Sequence, residues 1–535
     1  MAQPRVARLV VALAAYFIAA TLIGAPATAQ VTAFKQAVAE AASDDEAIAA
    51  FYRGRNYEPL WTGDGSRDRQ RRRAFLRALN SAGDHALPVN RYRPDEIRAM
   101  LRDVRTPRER GALEVDLSRR YLRFSRDLQT GIIDNPRRVD SGIVRQIPRR
   151  DRVELLQTLA TRSPNAVFRS LAPRTPEYTR LMAEKERMER LLGRGGWGPN
   201  VAASKLEPGD SGDRVVTLRN RLIAMGYMRR NASTRFDGAM QQAVQQFQID
   251  HGLTPDGVAG EGTIRELNKS VEDRLQSIVV AMERERWLNR DRGDRHVLVN
   301  LTDFTAKIID NGRVTFETRS VVGANDSDRR SPEFSDVMEH MVINPTWNVP
   351  RSIAVKEYLP QMQRNRNAAG HLRLIDRRGR VVNRANVDFT QYTARTFPFD
   401  LKQPPSNRNA LGQVKFMFPN QYNIYLHDTP AQNLFAREVR AFSHGCIRLN
   451  DPFDFAYALL ARQVSNPQTF FQERLGTGRE TFVELEKQVP VHLIYRTAFT
   501  QAKGRTNYRR DIYGRDARIW NALSDAGVAL RAVRG

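Results

Sequence analysis

The feature that most constrains the fold is a change of hydrophobic period close to residue 290. Before it, apolar residues recur every three or four positions in 44–52, 71–82 and 114–128. They do so again at Val271, Leu275, Ile278, Val279 and Met282. That spacing gathers apolar side chains on one helical face. From His296 the period shortens to two. Residues 297–301, 306–309 and 314–318 alternate as strands do, and Asn311-Gly312 offers a tight hairpin turn. Further strands are expected at 414–418, 423–426 and 491–495. The expected fold class is multi-domain α+β, helical in its first half and β-rich in its second.

A chain of 535 residues has room for three or four domains. Residues 30–200 read as a helical scaffold domain with no catalytic spacing, ending in the glycine-rich linker 193–199. Residues 201–270 hold a compact unit with an internal echo, since Asp237-Gly238 and Asp256-Gly257 each lead into a short apolar run. Each Asp-Gly turn is expected to start a short helix, and Gly226 to end the helix before them. A linker helix spans 271–295, a β-rich domain 296–499, and a tail 500–535. Inside the β-rich domain the strand rhythm lapses over 346–413, a length that suits a lid or binding cap.

There are 85 Lys+Arg against 60 Asp+Glu, a formal charge of +25. An anionic partner is favoured, but the arginines are scattered and carry no nucleic-acid-binding signature, so no nucleic-acid partner is expected. Arg5 and Arg8 precede an apolar run over 9–23 and then Ala27-Thr28-Ala29. This is the pattern of a signal peptide over 1–29, and the protein is expected to be exported to the periplasm. An uncleaved segment would instead leave it membrane-associated.

Export sharpens the meaning of Cys446, the single cysteine. In an oxidising compartment one thiol cannot pair within its own chain, so it is an accident, an intermolecular link or a nucleophile. It lies in Ser443-His444-Gly445-Cys446, nineteen positions after His427. A thiol, a nearby imidazole to take its proton, and a glycine that turns the backbone toward a developing oxyanion are the parts of covalent acyl transfer. An adjacent imidazolium is expected to lower the thiol pKa. Zinc held by His427, His444 and Cys446 is the metal alternative, but a fourth ligand at metal-site spacing is not apparent. No cofactor is expected. A Cys-His protease and a non-enzymatic wall-binding protein remain as rivals.

His427, then Ser443-His444-Gly445-Cys446-Ile447-Arg448-Leu449, resembles the signature of the L,D-transpeptidase (YkuD-like) catalytic domain. Asn344-Pro345, Trp347, Val349-Pro350 and Leu411-Gly412 with Val414-Lys415-Phe416 agree with it. Residues 206–268 resemble the three-helix peptidoglycan-binding domain, through Gly209-Asp210-Ser211-Gly212, Leu218, Leu222, Gly226-Tyr227 and the two Asp-Gly repeats. The resemblance implies a peptidoglycan enzyme active in cell-wall organisation and cell shape. Cys446 would attack a tetrapeptide stem at its diaminopimelate carbonyl and expel D-alanine; the side-chain amine of a second stem would then complete a 3→3 cross-link. It implies His427 as base, oriented by the Asp428 carbonyl, although the commoner pattern has glycine where Asp428 stands. His444 and Gly445 would line the oxyanion region, and Ser443 and Arg448 would brace the loop or meet a substrate carboxylate. Trp347 would stack on substrate or fill a core. Carbapenems would acylate Cys446, and 206–268 would contact glycan. With water as acceptor the same acyl-enzyme would make an L,D-carboxypeptidase.

Overall fold

In the computed structural model, residues 32–533 are described; the signal segment at 1–29 lies outside the described residues. The described chain divides into two compact units, one of residues 32–80, 92–125 and 150–169, the other of 81–91, 126–149 and 170–533.

The first unit is helical. Trp61, Phe75, Tyr121, Phe124 and Phe168 pack ring against ring in its core. Beside them Glu114 is fully buried. Its carboxylate accepts the N–H groups of Trp61 and Thr62 at 2.9 and 2.8 Å and the hydroxyls of Tyr52 and Thr62, both at 2.8 Å. A buried carboxylate needs such donors, and these hold the Leu60–Thr62 turn in place.

In the second unit the helix Val271–Trp287 opens with a capping box between Ser270 and Asp273. It was expected to be an amphipathic linker. It is instead buried on every side from Ile278 onward. The run Glu283-Arg284-Glu285-Arg286 reads as a solvent face in sequence, yet each charge is matched inside. Glu283 pairs with Arg286, Arg284 with Glu333 and Asp516, and Glu285 with Arg292 and Arg496.

Residues 201–268 form three helices, Asp213–Ala224, Gly238–Asp250 and Glu261–Leu267, around one apolar cluster. Asp237 caps the second, accepting from the Met240 N–H at 2.9 Å. The second Asp-Gly does not start a helix as expected. Asp256 is held by Gln248 at 2.7 Å, and the third helix begins only at Glu261.

The β-rich part is a nine-stranded sheet. Its strands are β1 (Arg295–Asn300), β2 (Thr305–Asp310), β3 (Arg313–Gly323), β4 (Phe334–Ile343), β9 (Val414–Met417), β10 (Leu426–His427), β11 (Ala441–Ser443), β12 (Ile447–Leu449) and β13 (Thr481–Ile494), in the order β11-β3-β12-β10-β9-β4-β13-β1-β2. Asn311 and Gly312 both take positive φ between β2 and β3, as a tight hairpin turn with the strand twist requires. The β3 strand pairs with β2 through its first half and with β12 through Ser320 and Val321, so the ladder returns on itself.

Inserted between β4 and β9 is the cap. It carries its own four-stranded sheet of β5 (Trp347–Asn348), β6 (Arg373–Ile375), β7 (Val381–Val382) and β8 (Asp400–Gln403). A separate core of Leu359, Met362, Leu374, Phe389 and Leu401 fills it. This insertion is a small folded body.

Candidate active site

The site is built by register. The β10 strand lies parallel to β12, with Leu426 opposite Ile447 and His427 opposite Arg448. It lies antiparallel to β9, with Leu426 opposite Phe416 and His427 opposite Lys415. Alternate side chains leave opposite faces of a strand. Leu426, Ile447 and Phe416 therefore enter the core, each fully buried. Lys415, His427 and Arg448 share the other face, with Tyr425 and Cys446 two positions before His427 and Arg448.

Cys446 follows a turn at Gly445, whose φ of +114° disfavours any side chain. Three contacts fix the turn. The Ser443 hydroxyl donates to the Cys446 carbonyl at 2.5 Å and accepts the Gly445 N–H at 3.1 Å, and the Ser331 hydroxyl donates to the Gly445 carbonyl at 2.6 Å. The Gly445 N–H is thereby engaged. Among the described residues, the His444 and Cys446 N–H groups have no acceptor, and they are the backbone donors left for an oxyanion.

The Cys446 thiol is half-buried and donates to the Asn423 carbonyl at 3.4 Å. The Tyr425 hydroxyl and backbone N–H both face the sulfur. No hydrogen bond joins the sulfur to His427 among the described residues. His427 is buried, and its Nδ1 lies 2.5 Å from the Asp428 carbonyl. That contact assigns the proton to Nδ1 and the lone pair to Nε2.

Burial, with the Arg448 and Lys415 charges adding to it, pushes His427 down to about 3 against the opposing Asp428 and Leu411 carbonyls. Burial also pushes the Cys446 thiol up to about 11, opposed by the Tyr425 donors and Arg448. The expected imidazolium that lowers the thiol is thus replaced by a neutral pair. Two cations beside a buried imidazole disfavour its charged form, and the thiol loses the partner that would have ionised it.

Asp428 stands where the commoner pattern has glycine. Its carboxylate accepts the Gln413 N–H at 2.8 Å and the Thr429 N–H at 2.6 Å. It fits because Gly412 has no side chain: a Cβ there would lie 2.3 Å from it. The loop is braced by this residue.

The same segments match known families. Residues 294–472 match the L,D-transpeptidase catalytic domain, 211–267 a "Putative peptidoglycan binding domain" and 46–184 a scaffold domain. Residues 294–472 are thus similar to L,D-transpeptidase catalytic domains. A Haemophilus influenzae protein named "Putative L,D-transpeptidase" is 31% identical over 225 residues, 42% of this chain and 45% of that protein. The match thus spans about half the length of that relative. Solved L,D-transpeptidases from Xylanimonas cellulosilytica and Stackebrandtia nassauensis are 13% and 14% identical, each covering 56% of this chain and 100% and 97% of their own. Their TM-scores are 0.16 and 0.22.

Within residues 294–472 the structure gathers Cys446, His427, Arg448, Ser443, Gly445 and Asp428. His444 stands at the loop tip, its Nε2 2.6 Å from Glu357 of the cap. Trp347 lies apart, 8% exposed in the cap core and edge-on to Tyr358. Its packing matches a core position. Among the described residues no His/Cys/Asp/Glu cluster is arranged to hold a metal, and no helix is long and apolar enough to cross a membrane.

Sequence reasoning missed Lys415 and Tyr425. Both were signalled by alternation, Lys415 as the polar position between buried Val414 and Phe416. Arg448 and Lys415 share a second trait: neither side chain has a hydrogen bond or salt bridge among the described residues, Lys415 feels only the charge of Glu480 beyond salt-bridge distance, and the Arg448 Nε is buried without a partner. Burial lowers the pKa of both.

Proposed function

We propose that the protein is a peptidoglycan L,D-transpeptidase that forms 3→3 cross-links through a Cys446 thioester. The observation that carries this reading is one sheet face on which a thiol and an imidazole stand beside two cations that form no salt bridge among the described residues. Stem peptides bring carboxylates and a scissile amide together, which is what such a face can take.

In the first step Cys446 Sγ attacks the diaminopimelate carbonyl carbon of a tetrapeptide stem. A C–S bond forms, and the thiol proton passes to Nε2 of His427. The Asp428 carbonyl, as acceptor of Nδ1–H, holds that tautomer. The His444 and Cys446 N–H groups receive the oxyanion; one such donor is typically worth about 3 kcal/mol. The C–N bond to D-alanine then breaks, and its amine leaves with the proton held by His427. In the second step the side-chain amine of another stem attacks the thioester, loses its proton to His427, and the thiol is restored. Because thiol and imidazole are both neutral at rest, proton removal accompanies attack. Arg448 and Lys415 hold stem carboxylates. The peptidoglycan-binding unit would hold glycan, and an extracytoplasmic site of action follows from the substrate.

Intact-protein mass spectrometry with a purified disaccharide-tetrapeptide tests this. A Cys446 adduct lacking D-alanine, together with a dimeric muropeptide, is the expected result. An adduct that resolves only to free tripeptide would make the protein an L,D-carboxypeptidase. No adduct, with the thiol intact, would leave a wall-binding protein.

A further inference from the structure

The cap helix, residues 351–364, changes pitch part-way along. It is α-helical over Arg351–Ile353, π-helical over Ala354–Tyr358 and α-helical again over Leu359–Arg364. A π-turn holds an extra residue and recurs at functional sites. Pro360 supplies a local cause, since it has no N–H to return to the carbonyl four residues earlier.

The altered pitch sorts the side chains. Ala354, Leu359 and Met362 enter the cap core. Lys356 and Glu357 reach away from it. Lys356 Nζ lies 2.7 Å from Asp328, and one Glu357 oxygen, Oε1, accepts from Arg329 at 2.9 Å and lies 2.6 Å from His444 Nε2. Among the described residues this is the one hydrogen bond from the cap to residues 443–446. The segment that holds Arg329 also meets the nucleophile loop independently, through Ser331 on the Gly445 carbonyl. Glu357, Arg329 and His444 are each about a third exposed. Charge attraction there adds little stability, so the consequence of the contact is geometric.

We propose that Glu357 is a positioning residue: through His444 it latches the cap to the loop that carries Cys446, so that the loop takes its working geometry only when the cap is seated. This rests on the reading that a stem peptide acylates Cys446. The rival is an ion pair that merely adheres cap to sheet.

A double-mutant cycle on the full chain separates them. The proteins are wild type, Glu357→Ala, His444→Ala and the pair, with Glu357→Gln to keep a neutral hydrogen bond at unchanged shape. Single-turnover acylation by tetrapeptide, iodoacetamide alkylation of Cys446 and the melting temperature are read for each. Glu357→Ala is expected to slow acylation about tenfold, with Glu357→Gln in between, as for loss of one charge-assisted hydrogen bond. The melting temperature should hold, and the pair should be no slower than His444→Ala alone, because residues acting as a unit are non-additive. An unchanged rate in Glu357→Ala, or losses that multiply in the pair, would overturn the latch. If wild type is not acylated at all, the proposed function fails instead. Alkylation then still decides: a change of at least about threefold in Glu357→Ala, with no further change in the pair, supports the latch, and no change overturns it.

Discussion

The helix Val271–Trp287 and the strand face around Cys446 both take cations out of water, and they treat them oppositely. On the helix side every buried charge named has a counter-charge. Arg284 pairs with Glu333 and Asp516, and Arg515, fully buried, lies 3.4 Å from Glu333 and 3.5 Å from Asp140. On the strand face the side chains of Arg448 and Lys415 form no salt bridge among the described residues, and Lys415 feels only the charge of Glu480, beyond salt-bridge distance. A half-buried cation without a close partner costs stability, and such perturbed groups cluster at functional sites. The paired network also supports the unpaired face. Arg515 donates to the Ser331 carbonyl at 2.9 Å and Tyr513 to the Gly323 carbonyl at 2.6 Å, and Ser331 in turn holds Gly445. The C-terminal segment thus braces the nucleophile loop.

The largest effect should come from the thiol. Cys446→Ser replaces one atom in a braced loop and should lower acyl transfer by at least about a thousandfold at an unchanged melting temperature. Transfer at the wild-type rate would remove Cys446 from the mechanism and leave the face without a nucleophile.

The paired region should respond in stability. Glu333→Ala strips Arg284 and Arg515 of a shared carboxylate, and losing one partner of a buried pair typically costs about 3–5 kcal/mol. Chemical denaturation should show it. Arg448→Met should do the reverse. No native pair is broken, so stability should hold or rise, while kcat/KM for tetrapeptide falls about a hundredfold, chiefly through KM. A destabilised Arg448→Met with normal kinetics would mean that Arg448 is structural, and the comparison would collapse.

How much of this was legible in sequence follows from the range of the interactions involved. The switch from helix to strand and the Asn311-Gly312 hairpin rest on near neighbours and were read directly. The central strand Phe334–Ile343 was not. Ser335, Asp336, Glu339 and His340 break its alternation, and its partners lie far away, at Val414–Met417 and Thr481–Ile494. The cap read as a polar lid because its strands are two to four residues long and its core is collected from dispersed positions. Lys415 and Tyr425 needed the register of β9, β10 and β12. Glu357 needed the π-turn. The neutral state of the thiol and imidazole needed burial, which a motif does not carry.

That neutral state gives the finest test. With the thiol at about 11, its thiolate fraction rises tenfold per pH unit below that value. Iodoacetamide alkylation of Cys446 should therefore climb with a slope near one from about pH 6 to 9. A thiolate–imidazolium pair would instead plateau near neutrality, and a plateau would show that the two cations do not govern His427. Lys415→Met sharpens the point with a smaller effect. His427 is depressed from its ordinary value to about 3. Between about 6.5 and 3 the unfolded chain binds the proton and the folded chain does not, so stability falls as pH falls through that window. His85 and His492, also depressed by burial, to about 4 and about 3, act in the same direction. Only the difference between wild type and Lys415→Met isolates His427. Removing one of its two neighbouring cations should raise its pKa and reduce the acid-dependent loss, while the alkylation slope above neutrality stays the same. If Lys415→Met and wild type lose stability identically between pH 6 and 4, Lys415 does not act on the imidazole, and Arg448 is the cation that keeps the pair neutral.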